Sequence, residues 1–469
     1  MRNHLFSRCS LALGGVVVSL AVAANAAAPA RADSACAGGL PSNGTVYYVS
    51  PTGSDSNSGT SPCAPWQSMN KADAAHLTPG DTVAFQGGAT FPEPLSLQGE
   101  MGTSTEPIYY TSYGTGPATL AGGAWLQSVS YIDLTGLTIA SASSAGVHSS
   151  GSGSGATNVT LRDDSITSSY DSWVGGYGVA LLNSLDSGWT IVDDSILNTA
   201  DSGVFDHAGG PVMIMNNTFI NNGIGRHCGP PATYGVNPCH AIYAKGPSVA
   251  AIGNVITNPQ SGGVSLRYQN DVVENNTITG GQKGIAFTSE TATPGTTYIS
   301  GNRLSGQSDT GILIAQGTEP LYESFVISGN TVSNPANYDL FVGSGPDSDT
   351  TQTVTLTGNV FQVGGAAGVQ GYVNLAAPAS YTARTYSDRS DNFAGARSTR
   401  AFYVDGTART RAAYSSWSTT SSQQPTAGHG KSRPAHATQS QKKTTHSRTG
   451  STSSSGRHHG RSRAAKGRA

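Results

Sequence analysis

Beyond about residue 80 the hydrophobic positions of this chain do not recur with a helical period. They fall instead into short alternating runs separated by turns, the signature of half-buried strands. One pattern returns eight times: a glycine or polar residue, then Asn or Asp, then a variable residue, then an apolar one. It reads Asp163-Asp164-Ser165-Ile166, Asp193-Asp194-Ser195-Ile196, Asn216-Asn217-Thr218-Phe219 and Gly253-Asn254-Val255-Ile256. It continues as Asn275-Asn276-Thr277-Ile278, Gly301-Asn302-Arg303-Leu304, Gly329-Asn330-Thr331-Val332 and Gly358-Asn359-Val360-Phe361. The successive spacings are 30, 23, 37, 22, 26, 28 and 29 residues.

A period with a floor near 22 and a variable excess predicts a solenoid. Each repeat is one coil of short strands whose inward residues share a core, and the excess sits in outward loops. Three strands of roughly five residues plus tight turns use about twenty residues per coil. Strands of neighbouring coils then pair in parallel, about 4.8 Å apart. The fold class expected is all-β, a right-handed parallel β-helix. The Asn column is read as structural, marking a turn with left-handed backbone whose stacked amides bond up the column. Near the start, 68–76 is the one convincing helix; the Pro79-Gly80-Asp81 turn and a strand at 82–85 follow it.

The chain of 469 residues divides accordingly. Arg2 and Arg8 ahead of an apolar run and a small-x-small site at Ala30-Arg31-Ala32 predict a signal peptide over 1–32 and a secreted protein without a membrane span. An N-terminal cap and first coils occupy 33–130, repeats 131–380, and a closing segment 381–420. The segment 421–469 is rich in Ser, Lys, Arg and His, too polar to offset its ordering entropy, and is expected to be a disordered basic tail. That tail is expected to contact anionic cell-surface polymer, and the whole to be a monomer with no nucleic-acid partner. Export makes the cysteines candidates for disulfides. The sequence-local pairing, Cys36–Cys63 and Cys228–Cys239, is favoured over the other two pairings and over a zinc site, since no Cys-x-x-Cys spacing is present.

The residues YYVSPTGSDSNSGTSPCAPWQSMNKADAAHLTPGDTVAFQGGATF (47–91), PIYYTSYGTGPATL (107–120), and later HAIY and GVSLRY resemble secreted bacterial β-helix proteins of the pectate-lyase-like superfamily. The resemblance spans about 45–420 and implies fold more than chemistry, because the superfamily includes lyases, hydrolases, epimerases and binding proteins.

Charge supplies the candidate site. Between 33 and 383 there are 7 Lys and Arg against 25 Asp and Glu, and four of the seven bases, Arg226, Lys245, Arg267 and Lys283, lie between 226 and 283. Laying 241–245 over 263–267, at an offset of 22, puts Lys245 and Arg267 at one position. Alternation turns Val264 and Leu266 inward and Ser265 and Arg267 outward. His207 joins the same outward column if the 223–238 excursion is a loop. Repulsion within the column should lower the proton affinity of Lys245, which suits a base, while Arg267 can clamp a carboxylate. His240 and His207 would neutralise charge or donate protons; Tyr243, Tyr268, Arg226 and Lys283 would bind substrate.

The arrangement resembles polysaccharide lyases of the chondroitinase and alginate-lyase type, which implies eliminative cleavage of an acidic, uronate-containing polysaccharide. Those enzymes carry acidic calcium ligands just ahead of the lysine, where this chain has Pro238 and His240; no ligand motif supports calcium, and metal and cofactor stay open. Alternatives are a glycan-binding or cell-surface protein without catalysis and an inverting hydrolase using Asp201 and Asp206. Asp206 or Glu290 could instead simply pair with Lys245 and Arg267.

Overall fold

The computed structural model describes residues 40, 43–171, 175–228, 239–319, 321–343, 352–362, 371–375, 384–389, 391–394, 401–404 and 407–409. The expected signal peptide, Cys36 and the basic tail lie outside them. Within them, strands form three long sheets of 13, 13 and 12 members, and successive coils contribute one strand to each. Sheet 1 runs from Val46–Val49 to Arg384–Arg389, sheet 2 from Leu95–Gln98 to Thr407–Arg409, and sheet 3 from Thr90–Phe91 to Asn392–Ala394. Pairing is parallel throughout except between Ala401–Val404 and Thr407–Arg409, an antiparallel hairpin. The coils, expected to stop near 380, therefore continue to 404. The helix expected over 68–76 is shorter, Met69–Asp73, capped by the Ser68 hydroxyl, which accepts from the Lys71 N–H at 3.2 Å.

One coil shows why the sequence folds this way. Ile242–Ala244 lies in sheet 2, Val249–Ile252 in sheet 1 and Val255–Thr257 in sheet 3, and the next coil returns at Gly262–Leu266. The registers Ile242↔Val264, Ala250↔Val272 and Val255↔Thr277 all carry the 22-residue offset read from the sequence. A one-residue slip would turn every apolar side chain outward, so alternation pins the register. Val204, Ile242, Val264, Ile285 and Ile312 stack in one fully buried column. Each such side chain contributes about 1.5–3 kcal/mol by leaving water.

The Asn column lies inside the turn between sheets 1 and 3. Asn217, Asn254, Asn276, Asn302, Asn330 and Asn359 are all fully buried. Each donates Nδ2 to the Oδ1 of the next member at 2.9–3.1 Å, the last of these acceptors being Asp391. Each also donates to a carbonyl of an earlier coil, as Asn302 does to Val273 at 2.8 Å. The left-handed residue is not the ladder Asn but the one before it: Asp163, Asp193, Asn216, Gly253, Asn275, Gly301, Gly329 and Gly358 all have φ between 55° and 67°. Gly, Asn or Asp recurs there because Gly has no β-carbon to strain that backbone and Asn and Asp tolerate it best among the rest, whereas the ladder position needs a side-chain oxygen that accepts from the coil before.

Cys228 and Cys239 are disulfide-bonded with Cα atoms 5.7 Å apart, as expected, and Cys63 is disulfide-bonded as well. No helix among the described residues is long and apolar enough to cross a membrane.

Candidate active site

On sheet 2, Val204–Asp206 pairs with Ile242–Ala244, which pairs with Gly262–Leu266, with Asp206 opposite Ala244 and Ala244 opposite Leu266. The next residue of each strand end is His207, Lys245 and Arg267, so the three follow one register. His207 is exposed and Lys245 and Arg267 half-buried.

Glu290, just past the strand Lys283–Ser289, occupies the space between the two bases. Its Oε2 lies 2.8 Å from Lys245 Nζ and its Oε1 3.2 Å from Arg267 Nε. The guanidinium is held further by Nη1 donating to Ser265 Oγ at 2.8 Å and to the Leu266 carbonyl at 2.9 Å. Beneath it lies the Tyr243 ring, 4.8 Å from the Arg267 Cζ and 6.0 Å from Lys245 Nζ. Tyr243 also meets His240 at 5.1 Å and Phe205 at 5.5 Å, and Phe205 stacks on Tyr177 at 4.8 Å. This aromatic row fixes the base of the site and shares the register Phe205↔Tyr243.

The electrostatics differ from the sequence expectation for Lys245. Burial and the Arg267 charge work against its ammonium, but the Glu290 hydrogen bond and the nearby Tyr243 and Glu290 groups outweigh them. The pKa is therefore raised above the usual lysine value, not lowered. His240 is buried, with Nδ1 lacking a hydrogen-bond partner. Burial, aided by the charges of Arg267 and Lys283, pushes its pKa well below the usual value. Burial also keeps it from solvent, and its ring lies 5.1 Å from that of Tyr243.

The other expected residues are less concentrated. Lys283 Nζ sits 3.4 Å from Asp309 Oδ2, and Tyr268 is half-buried beside Arg267. The exposed Arg226 is engaged by Asp171 at 3.1 Å rather than by the column. The hydrolase pair fails on burial. Asp206 alternates inward with Ala244 and Leu266, is fully buried, accepts from the Ala208 N–H at 2.9 Å, and burial raises its pKa to about 7. Asp201 is 1% exposed and accepts from the Ser202 N–H at 2.7 Å. Both carboxylates are thus buried, and Asp206 meets Lys245 through its carbonyl, which accepts from the Lys245 N–H at 2.6 Å. Sequence reasoning missed the Tyr177–Phe205–Tyr243 row, although the 38-residue offset placing Phe205 on Tyr243 was there to be read.

Residues 240–384, which include Lys245, Arg267 and Glu290, match the family described as right handed beta helix region. This chain is a right-handed parallel β-helix protein. No curated protein matches it. Among solved structures the β-helix is similar to the GH136 lacto-N-biosidase from Eubacterium ramulus, with 14% identity over 75% of this chain and 68% of that one, TM-score 0.46. It is similar also to an alginate lyase from Paenibacillus sp. str. FPU-7, with 17% identity over 66% of this chain and 97% of that one, TM-score 0.35. A hyperthermoactive exopolygalacturonase from Thermotoga maritima shares 11% identity over 68% of this chain and 85% of that one, TM-score 0.43. At these values no residue role carries across. Among the described residues of the β-helix, the one grouping of three or more metal-ligand side chains is Asp201, His227, Cys228 and Cys239, not the Lys245 column.

Proposed function

We propose that the β-helix acts on an acidic, uronate-containing polysaccharide lying across sheet 2, by elimination. The observation that supports this is Glu290. A carboxylate already sits between an ammonium and a guanidinium, which is the environment a uronate carboxylate requires. In the proposed reaction the C5 carboxylate displaces Glu290 and bonds Arg267, which acidifies the C5 proton. Lys245, released from Glu290 and having passed its ammonium proton to solvent, takes that proton as a neutral amine. The C5–H and C4–O bonds break, the C4=C5 bond forms, and the leaving oxygen takes a proton from His207 or water. His240, Tyr243 and Ser265 position the clamp; Tyr268 and Lys283 flank it. An extracellular setting, as the leader-like first residues suggest, suits such a substrate, and the basic tail would hold the protein near anionic polymer.

One observation favours binding without cleavage: Glu290 keeps Lys245 protonated, so the base works only if substrate opens that ion pair. Incubation with pectate, alginate, chondroitin and hyaluronan, with and without calcium, separates the readings. Unsaturated uronide release that is lost in Lys245→Ala and in Arg267→Lys supports elimination. Saturated reducing ends, or retention of polymer without cleavage, defeat it.

A further inference from the structure

A second cluster lies beside the aromatic row and takes no part in that chemistry. The His227 imidazole is buried between two carboxylates, with Nδ1 2.9 Å from Asp171 Oδ1 and Nε2 3.3 Å from Asp201 Oδ2. Ligand atoms of Asp201, His227, Cys228 and Cys239 all lie within 4.8 Å of one another, and all four residues are buried. Two sulfurs, an imidazole nitrogen and one carboxylate oxygen are the donor set of a tetrahedral zinc-type centre, too soft for calcium or magnesium. Asp171 on the far ring nitrogen stands where an outer carboxylate orients a ligating histidine and sets its tautomer.

The disulfide now ties up both sulfurs. Its removal would leave the two cysteine backbones where they are, because other bonds hold them. The Cys228 N–H donates to the Gly225 carbonyl at 3.0 Å, the Gly225 N–H to Ala200 at 2.8 Å, and the Ser261 N–H to the Cys239 carbonyl at 3.0 Å. The histidine is gripped from both sides independently of the sulfurs.

We propose that reduction of Cys228–Cys239 converts this cluster into a four-ligand site for a zinc-type divalent cation, with Asp171 as a positioning residue. A dithiol reductant delivers two electrons and two protons to the S–S bond and closes its own disulfide. Metal binding then displaces the two thiol protons and forms two metal–sulfur bonds, with His227 Nε2 and Asp201 Oδ2 completing the shell. Cys228 and Cys239 are thus tied to each other in either redox state, by sulfur in one and by metal in the other.

The test uses the full chain, reduced with a dithiol, freed of reductant without air, and titrated with cobalt(II) and then zinc. The expected result is one cobalt per reduced chain with thiolate-to-metal absorption, displaced by zinc, and none in the oxidised protein. Cys228→Ser and Cys239→Ser should each lose the absorption. Asp171→Asn should keep the band but weaken affinity roughly ten- to hundredfold. Reduced protein that takes up no more metal than oxidised protein overturns the proposal. So does His227→Ala that binds as the wild type does. Should that variant not fold, unchanged affinity in Asp171→Asn overturns it equally.

Discussion

The turn between sheets 1 and 3 is built two ways in one molecule, with aspartate at Asp164 and Asp194 and with asparagine from Asn217 to Asn359. Both versions use Oδ1 identically: Asp194 accepts from the Asp164 N–H at 2.7 Å, and Asn276 from the Asn254 N–H at 2.9 Å. They differ at the second atom. Every asparagine Nδ2 finds two acceptors, whereas Oδ2 of Asp164 and of Asp194 has no hydrogen-bond partner. A buried carboxylate in that place is costly when ionised. Burial accordingly raises the Asp164 pKa well above its usual value and that of Asp194 to about 7. An acceptor column runs through both regions, but only the amide is satisfied at every pH.

The largest effect should come from cutting the amide region. Asn302→Ala removes both Nδ2 bonds and takes the Oδ1 acceptor from the Asn276 N–H and from one of the two Asn276 Nδ2 protons, the other still bonding the Ala251 carbonyl. Two or more buried groups left unsatisfied should cost about 3–5 kcal/mol in denaturant unfolding. A loss under about 1 kcal/mol would mean the ladder is ornamental.

Next comes the acid region. Because the folded pKa of Asp194 lies above its unfolded value of about 4, the folded chain holds the extra proton. Stability from this group is therefore full below pH about 4, falls as pH rises through the folded value near 7, and stays low above it. Asp194→Asn should remove that fall, gaining on the order of a few kcal/mol at pH about 9 and almost nothing at pH about 4. Identical melting profiles of variant and wild type across that range would erase the distinction between the two regions. Asp206 and Glu323, also raised to about 7 by burial, should leave a residual fall of the same sign.

A smaller change sharpens the division of labour within each turn. Gly358 has φ 64°, and a β-carbon added there would meet nothing within 4 Å, so Gly358→Ala should cost about 1 kcal/mol of backbone strain alone. Gly358→Asn should cost less, since Asn216 and Asn275 already adopt that conformation. Equal losses would show that something other than the left-handed backbone selects the residue. Smallest of all, Lys245→Ala on the outer face should shift stability by only about 0–1 kcal/mol, as half-exposed ion pairs do. Its effect belongs in uronide release, and a large drop in melting temperature would make the column structural.

The coils were legible because they are local and repetitive. Alternation in 263–267 and the eight ladder tetrads carry the strand faces and the parallel register, and His207, Lys245 and Arg267 were aligned from the offsets alone. The candidate site was legible only as a column. That Glu290 would sit between the bases depended on the turn after Ser289, which no offset along the chain describes. The reversal of the Lys245 shift follows from that carboxylate, since the two cations by themselves would have repelled.

The sequence by itself determined the coil period, the side each residue faces, and the chemistry of the ladder position, because these follow from alternation and from the hydrogen bonds a side chain can make. Only the tertiary structure decided which loops meet. His227 reaches Asp171, 56 residues earlier, and Asp201, 26 residues earlier, in one contact. Excursions of unequal length are thrown together there by the stacking of coils, and no spacing along the chain encodes a meeting that the packing of neighbouring turns alone creates.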